Sequence, residues 1–143
     1  MTSGNQGERG RSRGRLPSAV GGTDKSARFD LQHCFELLAG QTYGRISFSA
    51  MALPAIMPVR YWLDDDQIYL QLGSDQWLPQ MQNSQVVLLQ IDQISAGSMR
   101  GWQVTATGVA TPLFGERDGG PGNIPAHLEM QPQLVTGHPV QFD

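Results

Sequence analysis

The chain contains a single cysteine, Cys34, and a single lysine, Lys25, among 143 residues, of which only 16% are charged. One thiol excludes an internal disulfide framework and a cysteine-based zinc site, and suits a reducing compartment. Its simplest role is that of a small buried apolar residue rather than a nucleophile. Because Lys25 is the only lysine, no phosphate-cradling loop ending in Gly-Lys-Ser/Thr exists, and nucleotide hydrolysis by that route is excluded. No Gly-x-Gly-x-x-Gly follows a strand, and no Gly-x-Ser-x-Gly elbow joins a strand to a helix, so neither a dinucleotide fold nor a serine hydrolase is indicated. His33, His127 and His138 lack metal-ligand spacing and read as surface or cap residues; no metal is expected. No apolar run reaches the roughly 18–20 residues that a membrane helix needs, and the N-terminus has charge and glycine without an apolar segment. The expectation is a cytoplasmic protein with no membrane partner.

The net charge of -3 hides an asymmetry. Residues 1–28 hold Arg9, Arg11, Arg13, Arg15, Lys25 and Arg28 against Glu8 and Asp24, whereas the rest carries four cations, Arg45, Arg60, Arg100 and Arg117, against eleven carboxylates. An arm of Gly, Ser and Arg with no hydrophobic period buries too little surface to offset its ordering entropy. Residues 1–27 are therefore expected to be a disordered basic arm, followed by one domain over 28–143. Contact of this arm with nucleic acid is the sharper alternative to a solvated tail. Against it, the body is acidic and lacks the aromatic platform interleaved with basic residues that single-strand-binding barrels use.

What the chain does have is alternation. Asp30 is placed to cap a helix in which Leu31, Cys34, Phe35 and Leu38 recur at helical spacing, with Gly40 to end it. From Gly44 the period becomes two: Ile46, Phe48 and Ala50 share one face, Arg45, Ser47 and Ser49 the other. A second strand sets Ala55, Met57, Val59, Tyr61 and Leu63 against Ile56, Pro58, Arg60 and Trp62. Pro58, without an amide donor, predicts an edge, a bulge or a bend. After the acidic turn Asp64–Gln67 comes a strand over Ile68–Leu72, then a short helical or looped segment over Gln76–Asn83 with Ser74 as a cap. Val86–Ile91 reads as a buried strand ending at Asp92. Gly101–Ala110 reads as another, with Trp102, Val104, Ala106 and Gly108 on one face, and Leu128–Val135 as the last. The glycine- and proline-rich stretch Gly115–Pro125 is not a regular element. Five or six strands with little helix predict a mainly β fold: a small antiparallel split β-barrel with one or two short helices.

The ordered pieces resemble the flavin-binding split barrels related to pyridoxamine 5'-phosphate oxidase, in particular the small actinobacterial-type members. They are Asp30–Ala39 leading into Gly44-Arg45-Ile46, Leu53-Pro54 with Pro58-Val-Arg-Tyr61, Ile68-Tyr-Leu70, Gly73-Ser74, Asn83 with Val86–Asp92, and Gly101–Val104 with Gly108-Val-Ala110. The resemblance implies a homodimer with flavin mononucleotide (FMN) at the subunit interface, oxidoreductase activity on a small-molecule substrate, and the flavin ring laid along Pro58, Val59, Arg60 and Tyr61. Where such proteins commonly carry a phosphate-binding cation after the Gly-Ser/Thr turn, this chain has Asp75, Gln76 and Trp77 after Ser74. Two accounts follow. In one, Arg45, Arg60 and Ser74 form a rearranged anion site, with Gln76 beside it and Trp77 or Trp102 covering the ring. In the other, the barrel has lost or exchanged the flavin and serves as a non-catalytic binding or scaffold dimer. Residue-level alternatives also stand: Arg45 pairs with Asp65 or Asp66, Arg60 forms an interface ion pair, and Trp102 is a core or dimer contact.

Overall fold

A computed structural model describes residues 28–73, 79–114 and 127–143. The expected arm over residues 1–27, the turn and helical start over residues 74–78, and the whole Gly115–Pro125 stretch lie outside the described residues. Helix α1 spans Leu31–Ala39, followed by strands β1 (Tyr43–Ala50), β2 (Leu53–Asp64), β3 (Gln67–Leu72), β4 (Gln85–Ser95), β5 (Arg100–Leu113) and β6 (His127–Gln141). All six strands pair antiparallel and close in the order β1-β2-β3-β6-β5-β4. This is the split barrel that the alternating pattern predicts; a 3-10 turn at Pro79–Gln82 is the only other helical element among the described residues.

Alternation decides the core. Ile46, Val59, Ile68, Leu70, Val87, Leu89, Val104 and Met130 are buried inside the ring, and their strand neighbours face out. Several strands run further than their apolar runs predict. β4 continues past Asp92 to Ser95, and β6 past Val135 to Gln141, because β5 pairs with both along nearly its whole length. β4 is also not buried on both faces: Val86 is 63% exposed while Val87 is buried. The β-branched run hid an ordinary inward–outward alternation.

Pro58 sits inside β2 rather than at a terminus, opposite Arg45. The Tyr61 amide donates toward the β1 side, to the Thr42 carbonyl at 2.9 Å, so the even-numbered residues of β2 direct their amides toward β3. The β3 ladder starts only at Val59–Leu72, and Pro58 therefore forfeits no hydrogen bond. The β1–β2 loop is two residues, Met51 and Ala52, both with positive φ (53° and 65°). That is the backbone of the tight hairpin turns that favour Asn-Gly, here held by two residues that adopt it under strain.

α1 packs on β6, β2 and β5, beside the half of β6 that β3 does not reach. Asp30 caps it, accepting from the His33 amide at 2.8 Å. Gly40 ends it as expected, though with φ -86° rather than in the left-handed conformation. Cys34 is buried against Gly137, and burial, with a smaller contribution from Asp30, pushes its thiol up from 9.0 to about 11. That is the environment of an inert packing residue.

Tyr61 ties helix to barrel, its hydroxyl donating to the Leu38 carbonyl at 2.5 Å, and burial raises its phenol above 10.0. Both groups ionise more readily in the unfolded chain. Their stabilisation is therefore complete below about pH 9 and is lost as pH rises through the raised folded values. Tyr61→Phe is expected to lower stability by about 1–3 kcal/mol at neutral pH and to shrink the alkaline loss. Urea denaturation at neutral pH and above pH 10 measures both effects.

Candidate functional site

The outer surface of β1 and β2 carries the arginines. Tyr43 opposes Arg60 and Arg45 opposes Pro58, so Arg45 and Arg60 are diagonal neighbours on one face, roughly 7–8 Å apart at the backbone. Both are exposed. Among the described residues neither has a carboxylate partner. The pairing of Arg45 with Asp65 or Asp66 does not occur: β2 runs on from Pro58 to Asp64 before that turn begins. On the far side Arg45 faces Gln90 of β4, a neutral neighbour.

Arg60 is held by different contacts. Its Nη1 donates to the Gln71 side-chain oxygen at 3.1 Å, and its guanidinium lies over the Trp62 ring, 5.4 Å from the centroid. Trp62 in turn stacks on its cross-strand partner Tyr69, with centroids 5.8 Å apart and planes 12° apart. It also meets His127 edge-on at 5.0 Å. The Tyr69 hydroxyl donates to Glu129 at 3.4 Å. Desolvation first, then the Glu129 and Asp64 carboxylates, raise this phenol above its ordinary value. Arg45, Pro58, Arg60, Trp62, Tyr69 and Gln71 thus form one continuous outward strip.

The structure brings together Arg45, Pro58 and Arg60. Val59 and Tyr61 are on the same strand but face the core, each 2% exposed, and reach the strip only through their backbone. Trp102 is half-buried against the core, in line with inward-facing Val104 and Ala106, and does not join the strip. Ser74, Gln76 and Trp77 lie outside the described residues. The period of two along β2 aligns Trp62 with Arg60, but no motif marks it as a site residue. The contacts of Trp62 with His127 and of Tyr69 with Glu129 carried no local signal, since they depend on β3 lying between β2 and β6. No cluster of metal-ligating side chains occurs among the described residues, and no helix there is long and apolar enough to cross a membrane.

A closed six-stranded antiparallel barrel with one helix against it defines the split-barrel class. Within that class the chain belongs to the pyridoxamine 5'-phosphate oxidase family, whose model matches residues 30–119. No curated protein matches it. Among solved structures it is similar to a FAD-binding protein from Mycobacterium smegmatis, with TM-score 0.63 and 19% identity over 80% of this chain and 97% of that one. A FAD-binding protein from Mesorhizobium loti aligns with TM-score 0.59 and 15% identity over 80% and 97%. A FAD and heme binding protein from M. smegmatis gives 0.59 and 11% over 81% and 74%. These likenesses show the fold.

Proposed function

We propose that this protein binds a flavin through the phosphate of its FMN moiety, held by Arg45 and Arg60, and acts as a homodimeric oxidoreductase on a small-molecule substrate. The observation that carries this reading is the pair of exposed guanidinium groups, diagonal on adjacent strands and neutralised by no carboxylate among the described residues. Paired guanidinium groups suit a phosphate dianion, which each can contact with two parallel donors. Pro58 lies beside them and offers an apolar surface with no outward polar group for a planar ring. Three solved neighbours of this fold are named for binding FAD.

The residues fit the group. Arg45 and Arg60 would hold the phosphate in place of the cation that the chain lacks after Ser74. Ser74 and Gln76, just beyond β3, are the further candidates for the phosphate, and Trp77 for the ring. A bound flavin supplies hydride transfer, and the chain supplies its anchoring. Dimerisation through this face is supported by Ile56 and Val86, which are 66% and 63% exposed on the outer surface flanking β1. The test is the visible spectrum of the purified protein after incubation with excess flavin and desalting. Retained flavin bands, with sedimentation at twice the chain mass, are the expected result; a colourless protein overturns the flavin reading and favours the non-catalytic scaffold.

A further inference from the structure

The outward strip carries opposite charge at its two ends. Past Arg60, at a strand rise of about 3.3 Å per residue, β2 presents Trp62 and then Asp64, while β3 and β6 add Tyr69 and its cross-strand partner Glu129. Trp62 and Tyr69 are stacked with planes 12° apart, and His127 meets Trp62 edge-on. After desolvation, Glu129, Asp64 and Asp65 are what raise the Tyr69 phenol, so these carboxylates converge on one ring. None of them has a cationic partner among the described residues.

We infer that this acidic, aromatic end of the strip seats the chain's own basic arm, with arginines from the run Arg9–Arg15 laid over Trp62 and Tyr69 and paired with Asp64 and Glu129. The inference does not depend on a bound flavin. Chemistry, spacing and reach support it. A guanidinium both stacks on an aromatic face and takes a carboxylate with two parallel donors. Arg60, 5.4 Å from the Trp62 centroid, already makes the first kind of contact. Arg9, Arg11, Arg13 and Arg15 stand at every second position, separated by Gly10, Ser12 and Gly14. In an extended segment they would project to one side about 6.6 Å apart. The outward face of a sheet is open, which suits such a segment better than a small cation that needs a concave seat. The arm leaves the barrel beside Phe29, whose amide donates to the Gly137 carbonyl at 2.8 Å. Glu129 lies eight residues from Gly137 on β6, about 26 Å along the strand. Thirteen residues separate Arg28 from Arg15, and an extended chain of that length spans about 43 Å. The surplus covers the passage from the helix side of β6 to its outward face.

Paramagnetic relaxation enhancement in the full-length protein tests this. Ser12→Cys supplies the spin-label site, since Cys34 is buried and its thiol is pushed up to about 11. The expected result is loss of the amide signals of Tyr69 and Glu129, with those of Ser47 and Leu88, across the ring on β1 and β4, retained. Asp64→Asn combined with Glu129→Gln should restore the lost signals, as should 1 M salt, where the screening length is about 3 Å. Replacing Arg9, Arg11, Arg13 and Arg15 by glutamine should do the same, and unchanged shifts of the core residues show that each variant is folded. No loss, a loss spread evenly around the ring, or a loss at Tyr69 and Glu129 that the charge variants leave untouched overturns the inference. An equal loss in a mixture whose spin label and isotope are on different copies also overturns it, because the arm would then come from a second molecule.

Discussion

Replacing Arg45 and Arg60 together by alanine is expected to lower flavin affinity by roughly 100-fold or more, at about 1.5–3 kcal/mol for each charge-assisted hydrogen bond to the phosphate that is removed. Melting temperature should change by only a few degrees. The asymmetry follows from burial. Neither side chain packs in the core, and Arg60 makes only an exposed hydrogen bond to Gln71 and a cation–π contact to Trp62. Such surface interactions contribute on the order of 0.5–1 kcal/mol each. The two single variants separate the roles. Arg45→Ala removes a group with no hydrogen-bond or ion-pair partner among the described residues, so its loss should register in binding alone. Arg60→Ala should add a small stability cost. Affinity should also fall as salt rises, because the site is exposed. Retention of flavin on desalting, with a titration at two ionic strengths, measures this. A double variant that binds as the parent does would place the anion site elsewhere.

A large expected effect on stability is at Gly108. A Cβ built there would lie 2.0 Å from the Gln131 carbonyl oxygen and 2.9 Å from its carbon. Both are backbone atoms of β6, so no side chain can rotate aside. The close approach coincides with a register shift: Thr107 opposes Leu134 while Gly108 opposes Pro132, leaving Gln133 as the extra residue of a β-bulge. Accommodating even one methyl requires β5 and β6 to separate where the ring is most extensively paired. Gly108→Val is expected to cost on the order of 3 kcal/mol or more, read from urea midpoints at unchanged slope. Gly40→Ala is the control. Its Cβ would meet only two helix carbonyl oxygens at 3.6 Å, its φ is -86°, and the change should be neutral or stabilise by up to about 1 kcal/mol. Comparable losses at both positions would show that generic glycine replacement, and not the bulge, sets the cost.

Much of the barrel was legible because its information is local. The change from helical spacing over Leu31–Leu38 to alternation from Gly44 marks α1 and β1, and the parity of β2 already separates Val59 and Tyr61 from Pro58, Arg60 and Trp62. Strand ends were less legible. β4 and β6 outrun their apolar runs because cross-strand hydrogen bonds to β5 hold segments such as Gln93–Ser95 and Gly137–Gln141 that have no strong preference of their own. Gly40 shows a similar limit: a glycine after the last helical residue marked the end of α1 but not its conformation. For the site, residue type and order alone put Trp102 and Trp77 on equal standing with the arginines. Inward parity with Val104 and Ala106 removes Trp102 from the strip, and Trp62 takes the place beside Arg60.

By itself, then, the amino-acid sequence determined the class of the fold, the faces of β1 and β2, and the presence of Arg45 and Arg60 among the few cations of the body. Periodicity and composition are properties of neighbours along the chain. Ring closure between β1 and β4, the insertion of β3 between β2 and β6, and the meeting of Arg60, Trp62, Tyr69, His127 and Glu129 were decided only in the tertiary structure. These residues are up to 69 positions apart, from Arg60 to Glu129. What joins them is the register of antiparallel strands, which is selected by burial of the inward faces and leaves the outward partners to follow.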